Sequence, residues 1–295
     1  MALGCLGVFR RELSVTLQPS AFSKLQSRWN QAMDAMARRE LSPFIKLAVR
    51  RRIADATWLA PHLPWSLWCW LCAWQAGEVV AEIARRSERP LTFVQIGSND
   101  GKANDPLYEI VRSGQWSGIL VEPVPELFKQ LVANYQGVRG LHFFQVAIGR
   151  NEGTITMYSV EPRPEDPLWV TQLTSVDRDV VMSHAPDLSQ LESRIFTVEV
   201  ESRTVASLIA EVGLTKVDLL HVDAEGFDDQ IILDLPLTAS WAPQFLIFEK
   251  KHLGRTRYSY LRAHLSRADY KLIDLGPDDL AYRLPPHRSV TSVGV

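Results

Sequence analysis

The chain has 295 residues, of which 46% are hydrophobic and 22% charged, and its formal net charge is −2. These values are typical of a globular protein with a substantial core, and they exclude a collagen-like or disordered chain. Its three cysteines, Cys5, Cys69 and Cys72, are too few for a disulfide framework and favour a reducing compartment. Since the N-terminus also lacks the order of charges and apolar residues of a signal peptide, we expect a cytoplasmic protein.

Residues 1–89 are predicted to form a net basic, helical N-terminal extension, and residues 90–295 a net acidic main domain. The most apolar stretch of the extension, Leu63–Ala76, contains four tryptophans but is shorter than the roughly 20 apolar residues of a membrane-spanning helix. We favour packing of this stretch against the main domain or against a second subunit in a homo-oligomer. Peripheral contact with a membrane through the tryptophans is the alternative.

From Leu91 onward, short apolar runs alternate with helical patterns. The predicted strands are Leu91–Ile96, Gly118–Val121, Leu141–Ile148, Thr154–Val160, Phe196–Val200, Val217–Val222, Phe245–Glu249, Leu272–Leu275 and Leu280–Arg283. The predicted helices are Pro106–Arg112, Pro125–Tyr135, a short one near Ser175–Ser183, one capped by Thr204 and running to Val212, and Tyr258–Arg267. This alternation predicts a doubly wound, mostly parallel α/β sheet, which Thr154–Val160 is expected to extend.

The segment Leu168–Asp187 interrupts the alternation of strands and helices. Interruptions of this kind are often functional loops, so we expect it to shape the pocket of the molecule acted upon. Its polar and aromatic candidates for that pocket are Trp169, Thr171, Gln172, Ser175, Arg178 and His184.

The first motif, FVQIGSNDG at 93–101, runs from a strand into two glycines. Glycine lets the backbone approach a ligand, and the first strand–helix turn of such a sheet binds nucleotide-like molecules. The GxxxG spacing differs from the GxGxxG of pyrophosphate binders and suits a nucleoside without pyrophosphate, such as S-adenosylmethionine (SAM). We expect Gly97 to face the ribose and Asp100 to hold the methionine end. A turn cap is the alternative role for Asp100.

Three acidic motifs follow at later strand ends. Glu122 ends the second strand, where a carboxylate can accept both ribose hydroxyls. Asp223 and Glu225 follow the strand Val217–Val222 and can deprotonate a hydroxyl, hold substrate or bind a metal. Glu249 and His252 end the next strand and can face the acceptor, and His252 is a suitable base at neutral pH. A solvated Lys-Lys-His turn is the alternative. His221, inside its strand, is interpreted as a satisfied core histidine.

Together these motifs resemble the FkbM family of SAM-dependent methyltransferases over Phe93–Leu275. The resemblance is carried by VQIGSNDG, by Glu122-Pro123, by VAIG at 146–149 and above all by VDLLHVDAEGFD at 217–228. It implies the class I methyltransferase (Rossmann-like) fold with a seven-stranded sheet. It also implies methyl transfer from SAM to oxygen, often on sugars or natural products.

The motifs and the resemblance together indicate which residues bind and which react. Gly97, Asp100 and Gly101 match the SAM loop of the family, Glu122 its ribose acid, and Asp223 and Glu225 its acidic pair. The expected cofactor-binding residues are Gln95, Gly97, Ser98, Asn99, Asp100, Gly101, Glu122, Pro123, Ala147 and Asp223. Asp223, Glu225 and His252 are the catalytic candidates, with none ranked above the others. Gln95 departs from the pattern, because many class I enzymes carry an acid there, and it adds no charge to the site.

Several alternatives stay open. A divalent metal held by Asp223, Glu225 and Glu249 would orient a sugar diol, but we do not predict a metal. An NAD-dependent oxidoreductase would share the glycine turn and Glu122, although the GxxxG spacing opposes it. A non-catalytic protein that kept the fold is the third alternative. Dispersed basic residues and the lack of a nucleic-acid motif argue against a nucleic-acid partner. A small-molecule or sugar acceptor is what the resemblance implies.

Overall fold

A computed structural model describes residues 76–166, 170, 173–184 and 190–283. The predicted extension before residue 76, with its tryptophans, lies outside these residues, as do Trp169, Thr171, Gln172 and the side chain of His184. The described helices are α1 (Ala76–Arg86), α2 (Tyr108–Arg112), α3 (Pro125–Asn134), α4 (Arg178–His184), α5 (Leu191–Arg194), α6 (Val205–Val212), α7 (Asp228–Leu233) and α8 (Arg255–Arg267). None of the helices in the described ranges is long and apolar enough to cross a membrane.

A seven-stranded sheet organises the main domain. Its strands are β1 (Thr92–Ile96), β2 (Ser117–Val121), β3 (Leu141–Phe144), β8 (Leu219–Val222), β9 (Phe245–Glu249), β10 (Lys271–Asp274) and β11 (Asp278–Tyr282). They lie in the order β10-β11-β9-β8-β1-β2-β3. The five strands from β9 to β3 are parallel, and β11 runs antiparallel to both of its neighbours. The predicted mostly parallel α/β sheet is therefore confirmed.

A second sheet of four strands, in the order β4-β7-β5-β6, differs from the sequence prediction. Its strands are β4 (Ala147–Ile148), β5 (Gly153–Val160), β6 (Thr174–Ser175) and β7 (Ile195–Arg203). The prediction that Leu141–Ile148 is one strand was wrong, because the chain leaves the main sheet after Phe144 and pairs with β7. Thr154–Val160 was wrongly expected to extend the main sheet, because β5 pairs along its whole length with β7. Alternation of apolar residues marks a strand but does not identify its partner.

Local sequence explains the ends of several elements. The Thr204 side chain accepts a hydrogen bond from the Ser207 amide at 3.0 Å and caps α6, and Gly213, at φ +74°, ends it. All four residues of β8 are buried, as expected of a central parallel strand covered on both faces.

The main core joins strands β1, β8 and β9 to the helices, and its buried residues include Val94, Leu208, Leu220, Phe248 and Leu261. Helix α1 belongs to the same compact unit as the sheet. The boundary at residues 89 and 90 stays a prediction.

Candidate functional site

The glycine turn after β1 meets the acidic turn after β8. The amides of Gly97 and Ser98 both donate to the Val121 carbonyl, which ties the turn to the end of β2. Gly97 has φ +73°, and a Cβ there would lie 1.8 Å from the carbonyl oxygen of Asp223. Only glycine permits this approach, so Gly97 brings the two turns together.

The last two residues of the motif, Asp100 and Gly101, have structural roles. The Asp100 carboxylate accepts hydrogen bonds from the amides of Lys102 and Ala103, at 3.0 and 2.9 Å, and so caps its own turn. Gly101 has φ +67°, and a Cβ there would lie 2.4 Å from the Leu131 side chain. Neither Asp100 nor Gly101 lines the two cavities described below. The structure therefore favours the turn-cap role for Asp100.

Glu122 is 3% exposed, at the end of β2. Its two carboxylate oxygens accept hydrogen bonds from the amides of Asn99 (2.9 Å) and Val124 (2.8 Å). Burial raises the pKa of Glu122 to about 7, and these two donors oppose part of the rise. Each oxygen keeps further acceptor capacity, which matches the two hydroxyls of a ribose.

Two adjoining cavities lie at this carboxyl edge of the sheet, where open α/β sheets bind ligands. The narrower one is mostly apolar, with Glu122, Pro123 and Ala147 in its wall; its other apolar lining residues include Val121, Val146, Ile148, Met157, Phe227 and Ile231. The larger one, of about 440 Å³, is more polar, and Gln95 and Ser98 help to line it. Four residues line both cavities: Gly97, Asn99, Asp223 and Glu225.

Gln95 and His221, which are paired across β1 and β8, line the larger cavity. The Gln95 amide nitrogen donates to Asp105 Oδ1 at 3.0 Å. In the described part of the chain, Gln95 Oε1 and His221 Nδ1 are buried and have no hydrogen-bond partner. Burial lowers the pKa of His221 to about 4, which keeps the imidazole neutral. His221 is therefore buried as expected, but it is not the satisfied core residue that was predicted.

Asp105 is a cavity residue that sequence reasoning missed. Its carboxylate accepts from the Leu107 amide at 2.7 Å, as the cap of a turn that leads into α2, and burial raises its pKa. The Asp105-Pro106 pair marks a helix start in the sequence, but only the fold shows that this cap also reaches Gln95. Lys251, another lining residue, was passed over beside His252.

Several contacts stabilise the backbone of the acidic turn, residues 223–226. Ser175 Oγ donates to the Glu225 carbonyl at 2.7 Å, and Arg257 donates to the Gly226 carbonyl at 2.7 Å. The buried Asp228 carboxylate accepts from the amides of Gly226 and Glu249, both at 3.3 Å, and so joins the ends of β8 and β9.

The acids of this turn have unusual proton affinities. Burial raises the pKa of Asp223 to about 6. Burial, together with the charges of Asp223 and Glu249, raises the pKa of Glu225 to about 8. Because the pKa of Glu225 is raised above that of Asp223, Asp223 loses its proton first, so Asp223 is the better proton acceptor of the two and Glu225 the better hydrogen-bond donor.

His252 lies beside the acidic turn but lines neither cavity. Its side chain is 10% exposed, and Nε2 lies 3.8 Å from Glu225 Oε2 and 3.5 Å from Glu249 Oε2. These three ligand atoms lie within 4.8 Å of one another, an arrangement able to hold a divalent ion. The metal ligands considered from the sequence were Asp223, Glu225 and Glu249, so the structure differs in having His252 instead of Asp223.

In the segment Leu168–Asp187, which was expected to shape the acceptor pocket, some of the described residues lie at the site and others do not. Leu173 lines the larger cavity, and Ser175 contacts the acidic turn. Arg178 instead forms an ion pair with Glu192, at 3.1 Å.

The sequence matches one known protein family. The family described as "Methyltransferase FkbM domain" matches residues 95–272. No curated protein sequence matches the chain significantly.

Solved structures that resemble the chain include several methyltransferases. The ribosomal protein L11 methylase of Lactobacillus delbrueckii subsp. bulgaricus is 12% identical, over 71% of this chain and 78% of that one, with a TM-score of 0.34. Aeropyrum pernix fibrillarin, in complex with natively bound SAM, is 10% identical over 72% and 76%, with a TM-score of 0.35. The precorrin-6y C5,15-methyltransferase of Geobacter metallireducens is 10% identical over 70% and 89%, with a TM-score of 0.33. These likenesses are weak, so the assignment depends on the family match and the sheet order.

Proposed function

Because the chain belongs to the FkbM family of methyltransferases, whose methyl donor is SAM, we propose that it methylates a hydroxyl oxygen of a small molecule or sugar. The observation that carries the proposal is the position of Asp223, which lines both cavities and whose burial raises its pKa to about 6. Methylation of a hydroxyl requires removal of its proton, and a base with a pKa near the working pH suits that task.

The two cavities match the two ends of SAM. The ribose hydroxyls would donate to Glu122, and the apolar wall of the narrower cavity suits an adenine ring. In the larger cavity, Gln95 Oε1 and the Asp105 carboxylate offer acceptors for the ammonium of the methionine end. SAM supplies a methyl group made electrophilic by a positively charged sulfur.

Asp223 is our choice as general base among the three candidates. The Asp223 carboxylate would take the proton of the acceptor hydroxyl, while SAM would supply the methyl group and leave as its demethylated product. Glu225, whose pKa is raised to about 8, can donate a hydrogen bond from its protonated form in the same cavity. His252 lines neither cavity, so we assign it the role of a partner of Glu225. Alignment of the hydroxyl with the methyl group can lower the activation barrier by up to ~7–11 kcal/mol. A general base raises the rate by roughly 10²–10⁴-fold, which is a smaller contribution.

The size of the larger cavity supports a small acceptor. A volume of about 440 Å³ is within the range of small-molecule pockets. The wall of the cavity contains the acids Asp105, Asp223 and Glu225, which suits a neutral, hydroxyl-rich molecule better than an anionic one.

A labelled methyl group tests this function. We expect transfer from [methyl-¹³C]SAM to members of a panel of sugars and polyols, with NMR placing the label on oxygen. Label on nitrogen, carbon or sulfur across matched amines and thiols would contradict the proposal. Binding of the demethylated product, S-adenosylhomocysteine (SAH), without transfer to any acceptor would favour the non-catalytic alternative. The family match leaves no support for the NAD-dependent alternative.

A further inference from the structure

Glu225 has a backbone conformation that its own side chain disfavours. Its φ is +45°, in the left-handed region, although it is not glycine. This conformation is unfavourable for a residue other than glycine, so surrounding contacts must stabilise it. The direction of the Glu225 side chain therefore depends on whatever fixes its backbone.

Ser175 contacts that backbone directly from the second sheet. Its side chain is completely buried, and its hydroxyl accepts from the Asp177 amide at 3.1 Å. The hydroxyl proton is thereby left to point at the Glu225 carbonyl, 2.7 Å away. Nearby, Val180 of α4 packs against Gly226, where a Cβ would lie 2.9 Å from the valine side chain.

The short strip around Ser175, residues 173–176, has two faces that contact different parts of the site. Thr174 and Val176 line the narrower cavity, and Leu173 lines the larger one. Alternate residues of an extended strip point to opposite sides, so Ser175 and Thr174 diverge. The strip thus joins the walls of both cavities to the carbonyl of Glu225.

We propose that Ser175 is a positioning residue, which holds Glu225 in its left-handed conformation and so keeps the carboxyl group of Glu225 in the cavity wall beside His252. Without the hydroxyl, the Glu225 carbonyl loses its donor and the backbone relaxes toward a right-handed or extended conformation. The carboxyl group then leaves its enclosed position next to Asp223 and Glu249. The catalytic consequence rests on the proposed function, whereas the placement of Glu225 does not.

The titration of Glu225 reports its placement. We would label the glutamate carboxyl carbons with ¹³C, assign Glu225 by its loss in Glu225→Gln, and record NMR spectra across pH. Since enclosure and its neighbours raise the pKa of Glu225 to about 8, we expect Ser175→Ala to lower it by about one unit or more. An unchanged Glu225 titration in Ser175→Ala would overturn the proposal.

Ser202→Ala is the matched control. Ser202 is 4% exposed, lies in the same small sheet and donates its hydroxyl to the Asn151 carbonyl at 2.9 Å, away from the acidic turn. We expect a similar loss of stability but a wild-type Glu225 titration. An equal shift in both variants would mean a general effect of loosening the sheet and would also overturn the proposal.

Two further variants keep the test decisive. Ser175→Cys nearly preserves the volume and leaves a weak S–H donor, so we expect an intermediate titration, and it replaces Ser175→Ala if that variant does not fold. In a double-mutant cycle on SAH affinity, Ser175→Ala should add nothing once Glu225→Gln is present, and additive losses would contradict the proposal. Neither measurement needs an acceptor, so failure of the proposed function is seen separately.

Discussion

The glycine turn after β1 and the acidic turn after β8 lie side by side, yet they contribute in different ways. In the glycine turn, Gly97 serves the close approach of the Asp223 backbone, and the Asp100 carboxylate binds two amides of its own turn. In the acidic turn, the acidic residues Asp223 and Glu225 line both cavities. The position of an acid in a glycine-rich loop therefore does not show that it binds a ligand, because its carboxylate can accept hydrogen bonds from nearby backbone amides instead.

The largest expected effect is a difference in kcat between variants of the acids in the two turns. We expect Asp223→Asn to lower kcat by roughly 10²–10⁴-fold, because the base is lost, while SAH affinity changes by only a few-fold. The matched variant Asp100→Asn should retain most of the activity, since Asp100 lines neither cavity. Single-turnover methyl transfer and calorimetry measure the two quantities. Equal losses of kcat in both variants would contradict the different roles assigned to Asp223 and Asp100.

A comparison of two glycines tests the close approach between the turns. Gly97 and Gly114 have nearly the same φ, +73° and +75°, but a Cβ at Gly114 would meet nothing within 4 Å. We expect Gly114→Ala to lower the free energy of unfolding by about 1–2 kcal/mol through backbone strain. Gly97→Ala should lose about 1–3 kcal/mol more, through the clash with the Asp223 backbone, and should weaken SAH binding. Urea unfolding curves that match for the two variants would show that the approach is looser than described.

The pH dependence of SAH affinity tests Glu122. Its pKa is raised to about 7, and only the ionised carboxylate accepts from both ribose hydroxyls, so affinity should fall as the pH drops from 8 to 6. We expect Glu122→Gln to bind roughly 10–100-fold more weakly at pH 8, the loss of a hydrogen bond to a charged group. This variant should also show a flatter pH profile in calorimetry. A profile as steep as that of the wild type would assign the titration to another group.

The smallest effect on stability and binding is expected for an ion pair at the amino edge of the sheet, opposite the two cavities. Arg89 donates to both carboxylate oxygens of the buried Asp218, ahead of β8, and Lys216 also contacts that acid. Because half of the Arg89 side chain is exposed and Lys216 remains, Arg89→Gln should cost only about 0–1 kcal/mol of unfolding free energy. SAH affinity should not change, and a weaker affinity would reveal coupling between the two edges.

Much of the site could be predicted because it follows strand ends. Gly97, Glu122 and Asp223 each follow an apolar run of a parallel sheet, and such ends gather at one edge whatever the details of packing. Asp105 was missed because it caps a turn and reaches Gln95 only across the fold. Its cap signal in the sequence does not distinguish a structural acid from a cavity acid.

The amino-acid sequence by itself determined the family, the places along the chain of the seven main-sheet strands, and the acids that end β2 and β8, because periodicity and short motifs are local properties. Tertiary structure alone decided that β5 pairs with β7, that Asp100 faces its own backbone, and that Ser175 contacts Glu225. These outcomes depend on which distant segments meet, since a hydrogen bond is set by the distance and angle between its atoms and not by their separation along the chain.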